Sequence, residues 1–342
     1  RTVMAINCRA EDGEQCKTRA AILLFLMGNT LVFPTRRVNC SGAADRRRDM
    51  HRIIPVPIPF SLADTCAPVG WAAGRWAGQD WINGRLIWVG WEDDLVVHRR
   101  VWMDELEGSL RIQGDASEQY DRDWAARVLG IERHMPELAD PVLRQISARH
   151  PGLRPHASGS IFEGLVDSIV GQSITVLAAA VVSARLASYF HPGMELDGRI
   201  FWPSPRPEDL ANADPARLRR TGVTWKRAEA LVAAGRAALD GELPEPDSAL
   251  IDDVRTALRK LPLVGPWTAE SALLWGTGED DAYPTGDVAL LRAARLAYAQ
   301  PDMTMKELDT RAKEWRGHRA WAARLLWIDL FGSASMSRYS TR

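Results

Sequence analysis

No cysteine follows Cys66 in this chain; the four are Cys8, Cys16, Cys40 and Cys66. The larger part of the sequence therefore has neither a disulfide framework nor a thiolate metal site. No apolar run is long enough to span a bilayer, so no membrane partner is expected. Ala20 to Met27 form a short apolar run behind Lys17 and Arg19 that mimics a secretion signal. No small-residue cleavage site follows it and Arg46, Arg47 and Arg48 come soon after, so a cytoplasmic location is expected. Excess charge is also missing, with 43 Lys and Arg against 44 Asp and Glu and a formal net charge of -1. That balance argues against a histone-like or tail-driven nucleic-acid binder. A local basic face stays open, because the field at a cleft depends on arrangement rather than on the sum. There is no internal repeat and no low-complexity tract.

What is present is a chain of 342 residues, 46% hydrophobic and 25% charged, long enough for about two or three domains. Residues 1–49 lack clear periodicity and hold three of the four cysteines. They are expected to be a non-native or disordered extension, with Met50 as the natural start. Residues 50–120 read as an antiparallel, β-rich α+β domain. Segments 53–58, 85–91, 95–103 and 109–113 form strands, with turns at 92–94 and 107–108, and 65–76 a helix packed on them. From 121 to 342 the period becomes helical: 124–129, 141–149, 161–190, 207–210, 215–220, 226–239, 248–259, 268–274, 288–299, 305–313 and 319–330. An α+β N-terminal domain followed by an all-α body is the predicted fold class.

The most specific segment is Leu261-Pro262-Leu263-Val264-Gly265-Pro266-Trp267-Thr268-Ala269, a tight apolar turn between two helices. Gly265 permits close backbone approach or positive φ, and Pro266 suits a first helical position. The second helix would offer unpaired N–H groups at its start, where a phosphate is received without base information being read. Downstream, Asp287 follows Tyr283-Pro284-Thr285-Gly286 and reads as the N-cap of the next helix. Arg217, Arg219, Arg220, Lys226, Arg227 and Arg236 form a basic cluster, either a solvated face or a phosphate contact. Of the 14 Trp, those at 71, 76, 81, 88, 91 and 102 fall in the β-rich region and read as packing.

The turn resembles the hairpin of the helix-hairpin-helix DNA glycosylase superfamily, with the DNA-3-methyladenine glycosylase II family as nearest match. That hairpin usually reads Leu-Pro-Gly-Ile/Val-Gly, and here Leu263 replaces the first glycine. The likeness spans about 141–330 and is loose in the β-rich region. It implies that Asp287 is the catalytic carboxylate and that Trp267, Trp327, Ser271 and Gln172 line a base pocket. Ser271 stands where relatives carry a tyrosine. Trp267 occupies the position of the lysine of bifunctional members, which implies hydrolysis without strand cleavage. Gly171-Gln172-Ser173 resembles the element whose residue after glutamine wedges into the base stack, so Ser173 is the implied wedge. Leu263, Gly265, Thr268, Ser173, Lys226 and Arg227 are the implied DNA contacts. Main-chain carbonyls of Arg259, Leu261 and Val264 are implied to hold a structural monovalent cation. The four-cysteine iron–sulfur cluster of one branch is excluded by the cysteine distribution.

The resemblance thus implies a monofunctional N-glycosylase that flips alkylated bases (3-methyladenine, 7-methylguanine class) out of duplex DNA for base excision repair. No organic cofactor is implied, and the chain is expected to act as a monomer on damaged double-stranded DNA. Two rivals stand beside it: a lesion-binding protein without turnover, and a helical interaction protein in which Asp287 is only a cap.

Overall fold

The computed structural model describes residues 50–104, 108–246 and 249–334. The expectations for 1–49, including Met50 as a start, fall on residues outside this set or concern what precedes it.

The first part of the described chain, to Gly114, builds a sheet. Strand β1 (Met50–Pro55) is followed by short helices α1 (Leu62–Thr65) and α2 (Ala67–Trp71). Then come β2 (Gln79–Ile82), β3 (Arg85–Glu92), β4 (Leu95–Met103) and β5 (Ser109–Gly114). The strands pair antiparallel in the order β1-β5-β4-β3-β2, so the proline-bearing β1 is an edge strand, where a missing N–H costs least. Alternation puts Leu86, Val101, Leu110 and Ile112 on one buried face. Helix α3 (Glu118–Val128) closes that face with Trp124, Ala125 and Val128. The sequence assigns this helix to the body after 121, yet its packing belongs to the sheet. Likewise the expected helix 65–76 is two short turns, and β2 is a strand absent from the sequence reading.

The rest is chiefly helical: α4 (Pro141–Arg149), α5 (Ile161–Gly171) and α6 (Val176–Phe190). A small hairpin, β6 (Met194–Leu196) and β7 (Arg199–Phe201), interrupts the helices. Its Asp197-Gly198 turn has φ of 53° and 76° at the two central residues, the type I′ form that suits tight hairpins. Then follow α7 (Pro207–Ala211), α8 (Pro215–Leu218), a single 3-10 turn to Thr221, and α9 (Trp225–Leu239). The described chain closes with α10 (Ile251–Lys260), α11 (Pro266–Gly276), α12 (Val288–Ala297), α13 (Met305–Arg311) and α14 (Arg319–Phe331). Helix α14 is buried along Ala320 to Ile328 at the centre of the body.

The single helix expected over 161–190 is corrected to two, bent by 119° at their junction. Ser173 takes a left-handed φ of 54°, and Thr175 then caps α6 by accepting the Ala178 N–H. An apolar pattern on both sides hides this break, since either helix alone satisfies the period. Among the described residues no single helix is long and apolar enough to cross a membrane. Helices α5 and α11 pack with almost nothing between them. A Cβ on Gly164 would lie 2.5 Å from the Gly276 Cα, so both positions need glycine for the helices to touch.

Candidate functional site

The turn between α10 and α11 is held by backbone geometry at two adjacent points. Leu261 leaves α10 extended, and the Val264 N–H donates back to its carbonyl at 3.3 Å. Leu263 then adopts φ +65°. A left-handed backbone costs a branched residue about 1–2 kcal/mol, which glycine avoids. Gly265 itself has φ -86° and ψ -177°, and a Cβ built on it would meet nothing within 4 Å. So the left-handed residue is Leu263, while Gly265 borders open space. Helix α11 starts at Pro266 with no side-chain cap, leaving the first N–H groups for an outside acceptor.

Asp287 is the N-cap of α12, with φ -71° and ψ 116°. Its Oδ1 accepts the Leu290 N–H at 2.7 Å. Its Oδ2 accepts the Trp267 indole N–H at 3.0 Å, so the residue two positions beyond Gly265 ties the hairpin to the carboxylate. The half-buried Asp287 makes no ion pair among the described residues. Its charge is therefore fixed in direction and not neutralised.

The loop that delivers Asp287 is braced from several sides. Glu270 on α11 accepts from Arg255 at 2.9 Å and from the Tyr283 N–H at 3.1 Å. Arg319 grips Asp281 with two bonds of 2.8 and 2.7 Å. Burial opposes the Asp281 charge, but Arg319 holds that carboxyl below its usual range. The Tyr283 hydroxyl donates to Asp309 at 2.9 Å. Burial, then the Asp309 and Asp287 carboxylates, push the Tyr283 phenol up, so it stays a donor. Sequence reasoning assigned none of Glu270, Asp281, Tyr283, Asp309 and Arg319. Tyr283 stood in the quoted segment, but the arginine partners lie 15 and 38 residues away from their acids.

Gln172, expected in the base pocket, is committed elsewhere. Its Nε2 donates to the Leu263 carbonyl at 3.0 Å and to Thr268 Oγ1 at 2.9 Å. The Arg227 guanidinium donates to the Gln172 carbonyl, and burial lowers that guanidinium below its ordinary value. Gln172, Arg227 and the buried Thr268 thus bind the α5–α6 junction, the hairpin and α9 together. Ser173, Gly265, Leu263 and Lys226 are exposed.

Two expected pocket residues lie in the core instead. Trp327 is 4% exposed and stacks on Trp275, with centroids 5.4 Å apart and planes at 23°. Ser271 faces inward from α11 and is 2% exposed. Of the four named pocket residues, Trp267 is the one hydrogen-bonded to Asp287 among the described residues. The carbonyls of Arg259 and Val264 accept no hydrogen bond among the described residues, and that of Leu261 accepts only the long one from Val264.

Residues 166–317 match the family model described as HhH-GPD superfamily base excision DNA repair protein. The chain is 31% identical over 192 residues to DNA-3-methyladenine glycosylase 2 of Escherichia coli (strain K12), covering 56% of this chain and 66% of that protein. It is 31% identical over 193 residues to a probable bifunctional transcriptional activator/DNA repair enzyme AlkA of Mycobacterium tuberculosis (strain H37Rv). That match covers 56% of this chain and 38% of the relative, so the chain spans only part of either. The solved 3-methyladenine DNA-glycosylase from Archaeoglobus fulgidus superposes with a TM-score of 0.68 at 20% identity, over 82% of this chain and 99% of that one. That last likeness is one of fold.

Proposed function

From the match of residues 166–317 to the HhH-GPD superfamily of base excision DNA repair proteins, we propose that the protein is a monofunctional DNA N-glycosylase acting on alkylated bases. The observation that carries this reading is the Trp267–Asp287 bond, which joins the phosphate-accepting turn to an unpaired carboxylate.

In the proposed reaction the exposed N-termini around Gly265 receive a backbone phosphate, and the damaged nucleotide rotates out of the stack. The bond between C1′ and the base nitrogen breaks, and its electron pair leaves with the base. A methylated purine carrying positive charge departs neutral. Positive charge builds on the sugar, and the Asp287 carboxylate beside it stabilises that charge. Water then adds to C1′ and its proton passes to the carboxylate or to solvent, leaving an abasic sugar. Trp267 offers an indole face to a cationic base, while its N–H holds Asp287 in place. With a tryptophan at that position, no amine stands beside Asp287 on the hairpin to form a Schiff base, so the strand stays intact. Gln172 and Thr268 position the hairpin. The carbonyls of Arg259, Leu261 and Val264 would hold a monovalent cation at the turn, adding positive charge for the phosphate.

On this reading the fold is a small α+β domain joined to a helix-hairpin-helix glycosylase body. The partner is duplex DNA with 3-methyladenine or 7-methylguanine lesions, and the protein works as a cytoplasmic monomer. The test is incubation with methylated duplex DNA, with released bases identified by mass and strands examined before and after alkali. Free methylated purine with breaks only after alkali is expected. Binding without release would favour a lesion-binding protein instead.

A further inference from the structure

Leu263 does nothing evident for the fold. It is absent from the core cluster that takes in its neighbours Leu261 and Val264, and 41% of it is exposed. Its φ of +65° is one that glycine would adopt without strain. The strain is not relaxed either, since Gln172 Nε2 holds the Leu263 carbonyl at 3.0 Å and Arg227 in turn holds the Gln172 carbonyl. A bulky apolar group is therefore kept in a costly conformation and pointed at solvent, two residues from the open ground beside Gly265.

The surroundings share this character. Across the Gln172 bond lies Ser173, small, polar, exposed and itself left-handed at φ 54°. Beyond it Ile174, Val176 and Leu177 are 38%, 38% and 46% exposed. Strain kept at an exposed position marks a demand from outside the fold. An apolar side chain beside a phosphate-accepting turn meets such a demand when it fills a gap between stacked bases.

We propose that Leu263, rather than Ser173, is the apolar plug that enters the duplex as the damaged nucleotide leaves. The proposal rests on duplex DNA being the partner, as in the functional reading above. Ser173 is too short to fill a vacated step, and its hydroxyl would enter unpaired. Leu263 reaches the duplex from the hairpin side and loses its water on entry.

The experiment compares the wild-type chain with Leu263→Gly and Leu263→Met. Each is bound to a duplex carrying a stable abasic analogue next to 2-aminopurine, and 2-aminopurine fluorescence, affinity and urea stability are measured. Leu263→Gly should keep or raise stability, yet lose the fluorescence change and bind about tenfold or more weakly. Leu263→Met should restore both. Single-turnover base release on duplex should fall for Leu263→Gly and recover in Leu263→Met. Wild-type fluorescence and affinity in Leu263→Gly, or a binding loss that follows a stability loss, overturns the proposal. Absence of base release by the wild-type chain sinks the glycosylase reading alone, because the fluorescence arm needs no turnover.

Discussion

Asp121 lies in the first turn of α3 and Asp287 caps α12, and the two carboxylates are held in opposite ways. Asp121, on α3 beneath the sheet, is 0% exposed and bonded by Arg99 at 2.7 Å and by Arg52. Burial raises its carboxyl above the usual range even though both arginines pull it down. Arg99 is itself fully buried between the Trp88 and Trp124 rings, each about 5.0 Å from its guanidinium carbon. Asp287 has two N–H donors, from Leu290 and Trp267, and no cation partner among the described residues. In the sheet, charge is cancelled to make burial tolerable. In the helical body, charge is aimed and left uncancelled, which is the arrangement a developing positive centre requires.

Substitution should separate the two roles. Asp287→Asn should reduce base release on the order of 10²–10³-fold. Asparagine caps helices as well as aspartate does, so unfolding in urea should move by no more than about 0.5 kcal/mol. A variant that keeps wild-type turnover would break the comparison at once. Asp121→Ala should do the reverse, costing roughly 3–5 kcal/mol because Arg99 is stranded without a counter-charge. Release per folded molecule should be unaltered. A urea midpoint close to wild type would mean that the arginines do not hold α3 to the sheet.

Smaller effects sharpen the contrast. Trp267→Phe keeps an aromatic face and removes the N–H, so turnover should drop by about tenfold while stability changes little. No kinetic change would leave Leu290 as the sole support Asp287 needs.

The smallest effect concerns pH. Glu163 and Asp167 lie one turn apart on α5, away from Asp287. Burial and then the Asp167 charge push Glu163 from 4.5 up to about 8, against a bond from Ser204 and the Arg127 charge, with Glu245 adding to the rise. Burial pushes Asp167 from 3.8 up to about 6, against its bond from Ser183. Both folded values lie above the unfolded ones, so the stability they contribute is complete in acid. It is lost as pH rises through about 6 and then about 8. His156, lowered to about 3 by burial and by Arg324, acts in the other direction, losing stability as pH falls below 6.5. Melting temperature should decline from pH 6.5 to 9, and Glu163→Gln should flatten the upper part of that decline. An unchanged slope would remove Glu163 as its source.

Helix positions were legible where capping chemistry is local. Helix α4 begins at Pro141 behind Asp140, whose carboxylate accepts the Val142 and Leu143 N–H groups, and both ends match the sequence reading. Strand β4 was legible for a similar reason, having turn residues on each side. The α5–α6 break was not, because only the backbone at Ser173 distinguishes a bend from a continuous helix. In the site, Asp287 and the hairpin stood out through their resemblance to the helix-hairpin-helix glycosylase motif, while local chemistry alone gave Asp287 as an N-cap. The burial of Trp327 and Ser271 did not, since a tryptophan in a pocket and one stacked in a core leave the same local pattern. Nor could the sequence disclose that Gln172 spends its amide on the hairpin 91 residues away.

The glycine contact between α5 and α11 reaches further than its size suggests. Gly276 sits at one end of α11 and the hairpin turn at the other, roughly 15 Å apart at the helical rise of 1.5 Å per residue. The helix works as a lever whose pivot has no slack. A single methyl at Gly276 would meet the Ser160 carbonyl at 2.6 Å, and the displaced helix would swing Trp267 away from Asp287. Tolerance for error in the chemistry is thus set by two hydrogen atoms at the opposite end of the rod.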